Sequence, residues 1–251
     1  MALAGGRRNS KLTCQLIQIS FDANDPQRLA GFWAAFLGWE KEDDSDDVIT
    51  LVPRDDTVFE IQFLPTGEPK TVANQMHFDL TSTSLEDQRQ TVERALGLGG
   101  RHLDIGQGPH ASHVVLADPE GNEFCVIEPD NIFLAGCGFI GAIASEGSRE
   151  VGYFWSEVLG WPLVWDQDEE TAIQSPRGGT KITWGGGPLT AKTGKYRVHF
   201  DLAPPVDGDQ HAEVERLISL GAAHADIGQG EVNWVVMVDP DGHEFCVLTP
   251  R

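Results

Sequence analysis

The stretch Phe32-Trp33-Ala34-Ala35-Phe36-Leu37-Gly38-Trp39 returns as Phe154-Trp155-Ser156-Glu157-Val158-Leu159-Gly160-Trp161, 122 residues further along a chain of 251. Three more segments return at nearly the same offset. His77-Phe78-Asp79-Leu80 reappears as His199-Phe200-Asp201-Leu202, and His102-x-Asp104-Ile105-Gly106-Gln107-Gly108 as His224-x-Asp226-Ile227-Gly228-Gln229-Gly230. Asp118-Pro119-x-Gly121-x-Glu123-Phe124-Cys125-Val126 reappears as Asp239-Pro240-x-Gly242-x-Glu244-Phe245-Cys246-Val247. Spacing preserved across four motifs means tandem duplication, and a unit of about 120 residues has the size of a domain, not of a solenoid repeat. The expected division is a disordered tail at 1–11, a first domain at 12–130 and a second at 131–251, with the junction at Glu128-Pro129-Asp130-Asn131.

Local patterns place the elements. In the first unit residues 15–21 read as a strand, and Asp25 can cap a helix with Pro26 in its first turn, an apolar stripe of Leu29, Phe32, Trp33, Phe36 and Leu37, and a stop at Gly38. Strands are expected at 48–52 and 58–64. A second cycle opens with a strand at 76–81 and a helix at 85–96 capped by Ser84. It closes with strands near 101–105, 113–117 and 123–127, the last two joined by the turn Asp118-Pro119-Glu120-Gly121. The second unit repeats the scheme, with Ser148 capping a helix at 149–159 and another helix at 209–220.

Composition removes several classes of function. With 18 basic against 39 acidic residues, the formal charge of −21 repels phosphate backbones and anionic lipid, so neither nucleic acid nor membrane is an expected partner. No apolar run reaches the roughly 20 residues a membrane span needs. Four cysteines, Cys14, Cys125, Cys137 and Cys246, are too sparse for a disulfide scaffold and lack CxxC spacing, which points to a reducing cytoplasm. Hydrolase, nucleotide triphosphatase and nicotinamide readings have no GxSxG, Walker or dinucleotide motif behind them.

Two βαβββ-like cycles per unit, the phrase FWAAFLGW at 32–39 and the closing DPEGNEFCV at 118–126 resemble the vicinal oxygen chelate superfamily, in its glyoxalase-like and bleomycin-resistance branch, over residues 12–250. The resemblance implies an α+β fold of two tandem glyoxalase-like domains, each of paired βαβββ modules forming a cupped mixed sheet. It also implies a cup that holds a small ligand and, in the enzymes, a divalent metal bound by one His, Gln or Glu from each of four strands. Carried over by position, the four sites of the first domain fall on Gln18, Gln62, His77 and Cys125. Those of the second fall near Ile140, Trp184, His199 and Cys246.

A set without a carboxylate is a poor home for a hard or borderline divalent ion, so no metal cofactor is expected. One alternative places a divalent metal in the first domain: a shift by one pleat gives Gln18, Glu60, His77 and Glu123. The second unit, with Ile182 opposite Glu60, does not repeat that set. The expected function is therefore binding of a small molecule, neutral or cationic and partly aromatic, in sequestration or resistance, with Gln18, Gln62, His77, Cys125, Trp184, His199, Trp234 and Cys246 facing the ligand. Gln18, Gln62, His77 and Cys125 are expected in one cavity, and Trp184 with His199 in the other. The alternatives are a metal-dependent lyase, isomerase or dioxygenase, a metal-free acid–base enzyme built on His77 and Asp79, or a purely structural pseudo-dimer. His77 and Asp79 share a strand face and suit either an oriented base or a pair satisfying buried polar groups. Cys125 and Cys246 read as inert thiols with no base beside them in sequence, and His102, His110 and His113 as loop or pocket-lining residues. Ligand identity and oligomeric state stay open.

Overall fold

A computed structural model describes residues 13–43, 47–108, 110–185, 192 and 194–251; the expected tail and most of the stretch Gly185-Gly186-Gly187-Pro188, whose sequence suggests a flexible hairpin, lie outside them. The first repeat runs β1 (Gln15–Ala23), α1 (Pro26–Leu37), β2 (Glu40–Asp43), β3 (Ile49–Val52), β4 (Glu60–Pro65), β5 (Met76–Leu80), α2 (Leu85–Gly97), β6 (Arg101–His102), β7 (Val114–Ala117) and β8 (Glu123–Val126). The second runs β9 (Ile140–Glu146), α3 (Arg149–Leu159), β10 (Leu163–Gln167), β11 (Glu170–Gln174), β12 (Lys181–Gly185), β13 (Val198–Ala203), α4 (Gln210–Leu220), β14 (Ala223–His224), β15 (Val235–Val238) and β16 (Glu244–Val247). Each repeat is thus two βαβββ modules.

The capping chemistry read from sequence is in place. The Asp25, Ser84 and Ser148 side chains each accept an N–H from the first turn of the helix that follows, Asp209, expected as the first helical residue, caps α4 in the same way, and Gly38 closes α1 at φ +74°, where a Cβ would be strained. Strand β2 was not expected. Its sequence Glu-Lys-Glu-Asp has no apolar alternation because it is a sheet edge, where charge discourages pairing with other chains.

Sheet pairing does not follow the two repeats. One eight-stranded sheet has the order β14-β15-β16-β13-β1-β4-β3-β2, and the other β10-β11-β12-β9-β5-β8-β7-β6. Each therefore joins the first module of one repeat to the second module of the other. The seams are antiparallel pairs, β1 with β13 and β5 with β9, in which Ser20 lies opposite His199 and Ala144 opposite His77. Cup A is built from β1–β4 and β13–β16, cup B from β9–β12 and β5–β8, so neither cup belongs to a single repeat.

Modules of one repeat meet instead through their helices. Helix α1 lies on β3 and β4 of sheet A, while its Trp33 ring packs edge-on against Phe78 and Phe124 of sheet B at centroid distances of 5.6 and 5.2 Å. The indole N–H donates to Asp118 in the β7–β8 turn at 3.1 Å. Trp155 of α3 repeats this against Phe200, Phe245 and Asp239. The same turns also bind the start of the first helix, Glu120 accepting the N–H groups of Asn24 and Asp25, and Asp241 that of Ser148. A continuous apolar core between the two sheets results, with Trp33, Trp155 and Trp184 almost wholly buried.

Candidate functional site

Strand alternation sends every second side chain away from the core and into a cup. In cup A, Gln18, Gln62, His199, Asp201, Trp234 and Cys246 line a cavity of about 560 Å³. In cup B, His77, Asp79, Cys125, Trp165, Glu170 and Thr183 line one of about 610 Å³.

The expected quartet Gln18, Gln62, His77 and Cys125 is consequently divided: the two glutamines face cup A, His77 and Cys125 face cup B. The pleat-shifted set Gln18, Glu60, His77 and Glu123 fails for the same reason, since the first two residues lie on sheet A and the last two on sheet B. Glu123 is moreover held by Lys70 at 2.8 Å. Trp184 does not reach a cup. It is 1% exposed and stacks on Trp155 at 6.2 Å with an interplanar angle of 9°. Its neighbour Thr183, opposite Ala144, takes the cup-facing place. A one-residue slip in register reverses the face of a strand residue, and the spacing count had slipped by one. Likewise Ala142, not Ile140, lies opposite Asp79 as Gln18 lies opposite Asp201, because Ala142 stands 12 residues before Phe154 where Gln18 stands 14 before Phe32. Trp234, His199 and Cys246 do line cup A as expected. His102 and His113 line a separate surface depression with Asp104.

At the base of each cup the structure assembles a group that sequence reading did not. His77, Asp79 and Cys125 lie with their ligand atoms within 4.8 Å of one another, and His199, Asp201 and Cys246 do the same. In both, the imidazole Nε2 is 3.4 Å from the carboxylate Oδ1 two residues on. The cysteines therefore do have a base beside them. Parallel pairing sets Asp79 opposite Cys125 and Asp201 opposite Cys246, a juxtaposition that the repeated HFDL and EFCV motifs carry only once their strands are known to be neighbours. In cup A, Ser20 donates its hydroxyl hydrogen bond to Asp201 at 2.6 Å, while His199 Nδ1 and Asp201 Oδ1 are buried without hydrogen-bond partners.

Electrostatics distinguish the groups. Burial alone would lower the His77 pKa, but hydrogen bonds to Asp79 and Cys125 outweigh it and push it up to about 10. Burial raises the Cys125 thiol, with His77 opposing, and burial reinforced by Asp201 drives the Cys246 thiol upward. Both cysteines are neutral thiols at neutral pH. Because the folded His77 pKa lies above the ordinary value of 6.5, its contribution to stability is complete below pH 6.5 and is lost as pH rises through about 10. Denaturant unfolding of wild type and His77→Gln should therefore show a gap that is widest near pH 6 and narrows toward pH 10. A gap that widens with pH would contradict the assignment.

The four-strand metal set of the resembled enzymes does not fit either cup. Cup A offers Gln18, Gln62, His199 and Cys246, and cup B offers Ala142, Thr183, His77 and Cys125. Gln18 and Gln62 could offer only neutral amide oxygens, their Nε2 groups being turned to Glu60 and Thr50 at 3.3 and 3.2 Å, and Ala142 has no donor. Neither set contains a carboxylate to balance a divalent charge.

Comparison with solved structures places this arrangement among known folds. Glyoxalase I from Zea mays superposes with a TM-score of 0.61 at 14% identity, covering 94% of this chain and 92% of that one. A putative dioxygenase from Bacillus subtilis subsp. subtilis str. 168 does so with a TM-score of 0.62 at 15% identity, covering 96% and 86%. At such identities the likeness is one of fold. Comparison with curated proteins gives no match. Among the described residues no helix is long and apolar enough to cross a membrane. The family model described as a glyoxalase-like domain matches twice, over residues 18–127 and 142–248, and across both repeats the chain belongs to that glyoxalase-like family.

Proposed function

We propose that the protein binds small organic molecules in its two cups without the four-strand metal, in a sequestering role. The observation that carries this reading is the pairing of a cavity of about 560–610 Å³ with a convergent His–Asp–Cys base in each cup. That volume lies in the usual range for ligand pockets, and a few convergent polar groups within an otherwise apolar wall give orientation and specificity. The guest is neutral or cationic and partly aromatic, since Trp165 and Trp234 provide stacking faces and the net charge is −21. Free thiols at all four cysteines support a cytoplasmic location.

A second reading has one observation in its favour. The His–Asp–Cys triplets are borderline-to-soft donor sets, suited to zinc rather than magnesium or manganese, and an enzyme could be built on them. Elemental analysis and native mass spectrometry of gently purified protein separate the two. The expected result is less than about 0.1 metal per chain and a retained organic mass, since a partial ligand set forfeits most of the chelate advantage. About one zinc per cup, lost in Cys125→Ser and Cys246→Ser, would replace the binding reading with the metalloenzyme one.

A further inference from the structure

The two cups share a base and differ in their walls. His77, Asp79, Glu123 and Cys125 in cup B have His199, Asp201, Glu244 and Cys246 as their counterparts in cup A. The positions around them have diverged in charge. Four residues before the histidine, cup A has Lys195 and cup B has Ala73. Val48 of cup A precedes Ile49, which pairs with Phe63; in cup B Glu170 holds that place, preceding Thr171, which pairs with Trp184. Gln62 of cup A is replaced by Thr183.

The charges balance differently. In cup A Lys195 is paired with Asp22 at 2.7 Å, Glu244 is paired with Lys192, and Arg251 shares the lining with Asp201. Cup B has no Lys or Arg among its described lining residues, but four carboxylates, Asp79, Glu123, Glu146 and Glu170. Lys70 neutralises Glu123 at 2.8 Å, His77 faces Asp79 at 3.4 Å and Glu146 is engaged within the chain, so the carboxylate offered to a guest is the exposed Glu170. Cup B also has the aromatic wall. Phe133 and Trp165 meet edge to face at 5.5 Å, and the buried Trp165 Nε1 has no hydrogen-bond partner. Carboxylates beside an aromatic face suit an organic cation, whose attraction to the ring quadrupole grows as water is excluded. The amides of cup A, Gln18, Gln62, Gln229 and Asn233, suit a guest that accepts hydrogen bonds.

We infer that the cups are specialised by charge, cup B for an aromatic organic cation and cup A for an uncharged guest rich in hydrogen-bond acceptors. This rests on the reading of the cups as binding sites and assigns each its ligand class. Local lining decides the preference, because at physiological ionic strength the field of distant surface charges is screened over about 8 Å.

Calorimetric titration of the full chain with 1-methylquinolinium and with coumarin, flat bicyclic molecules of which one is a cation and the other an uncharged hydrogen-bond acceptor, tests it. The cation should bind one equivalent per chain, weakened about tenfold by Glu170→Gln, an exposed position, and by Trp165→Leu, but unchanged by Trp234→Leu. Coumarin should bind one equivalent sensitive to Trp234→Leu only. The double variant Val48→Glu with Lys195→Ala should raise the cation stoichiometry toward two. Two equal cation sites in the wild type, or a cation site sensitive to Trp234→Leu and not Trp165→Leu, would overturn the specialisation while leaving the cups as binding sites. Failure of both probes at millimolar concentration, with no heat and no change in tryptophan emission, would overturn both readings.

Discussion

Residues 12–130 expressed alone are expected to form a homodimer, not a folded monomer. In the intact chain β1 finds its antiparallel partner in β13, and β5 finds its partner in β9. Removing the second repeat leaves both edges open at the centre of a sheet, where unpaired backbone groups and apolar side chains are most costly. A second copy of the first repeat can supply what is missing, because β5 carries the same His-Phe-Asp-Leu sequence as β13. Two copies would rebuild both sheets with β1 of one against β5 of the other. Their cups would then unite Gln18 and Gln62 with His77 and Cys125, which the intact chain keeps apart. Light scattering coupled to size exclusion should give twice the fragment mass, with cooperative unfolding whose midpoint rises with protein concentration. A stable monomeric fragment with native circular dichroism would show that a repeat can close its own cup.

The second large effect concerns Trp184. Its substitution by Ala should destabilise the chain by about 3–5 kcal/mol, the usual cost of removing a large buried aromatic side chain. For a protein of this size that is a fall of roughly 10 °C in Tm. The physical cause is the loss of a ring packed flat on Trp155 and closed in by Gly147 and Gly152, where an added Cβ would lie 2.7 and 3.3 Å from Trp184. Guest binding, measured at a temperature where the variant is folded, should stay within a factor of about two, because the ring does not face cup B. A small change in Tm together with a large loss of affinity would put Trp184 back in the cup.

How far the sequence reached can be judged from individual residues. Module order, helix caps at Asp25, Ser84 and Ser148, and the DPxG turns were legible because each depends on neighbours within about four positions. So was the cup-facing role of His77, Cys125, His199, Cys246 and Trp234, which follows from motif position and strand alternation. Strand β2 escaped notice because an edge strand can be wholly charged, and Trp184 was misplaced because Thr183 lies 16 residues before His199 where Gln62 lies 15 before His77, an added residue that a spacing count cannot see. The approach of Asp79 to Cys125 requires knowing that β5 and β8 are parallel neighbours.

What the amino-acid sequence determined on its own was the duplicated unit and the content of each module, since both are written in local periodicity and in spacing repeated at 121–122 residues. It could not determine which module shares a sheet with which. The edge of β1 offers its backbone hydrogen bonds equally to β5 and β13, whose motifs are identical, so strand chemistry is indifferent to the choice. The tertiary structure decided it: Trp33 and Trp155 bind the modules of one repeat through the core between the sheets, anchored on Asp118 and Asp239, leaving β1 to pair across repeats with β13 and β9 with β5. Each cup therefore draws its walls from both halves of the chain.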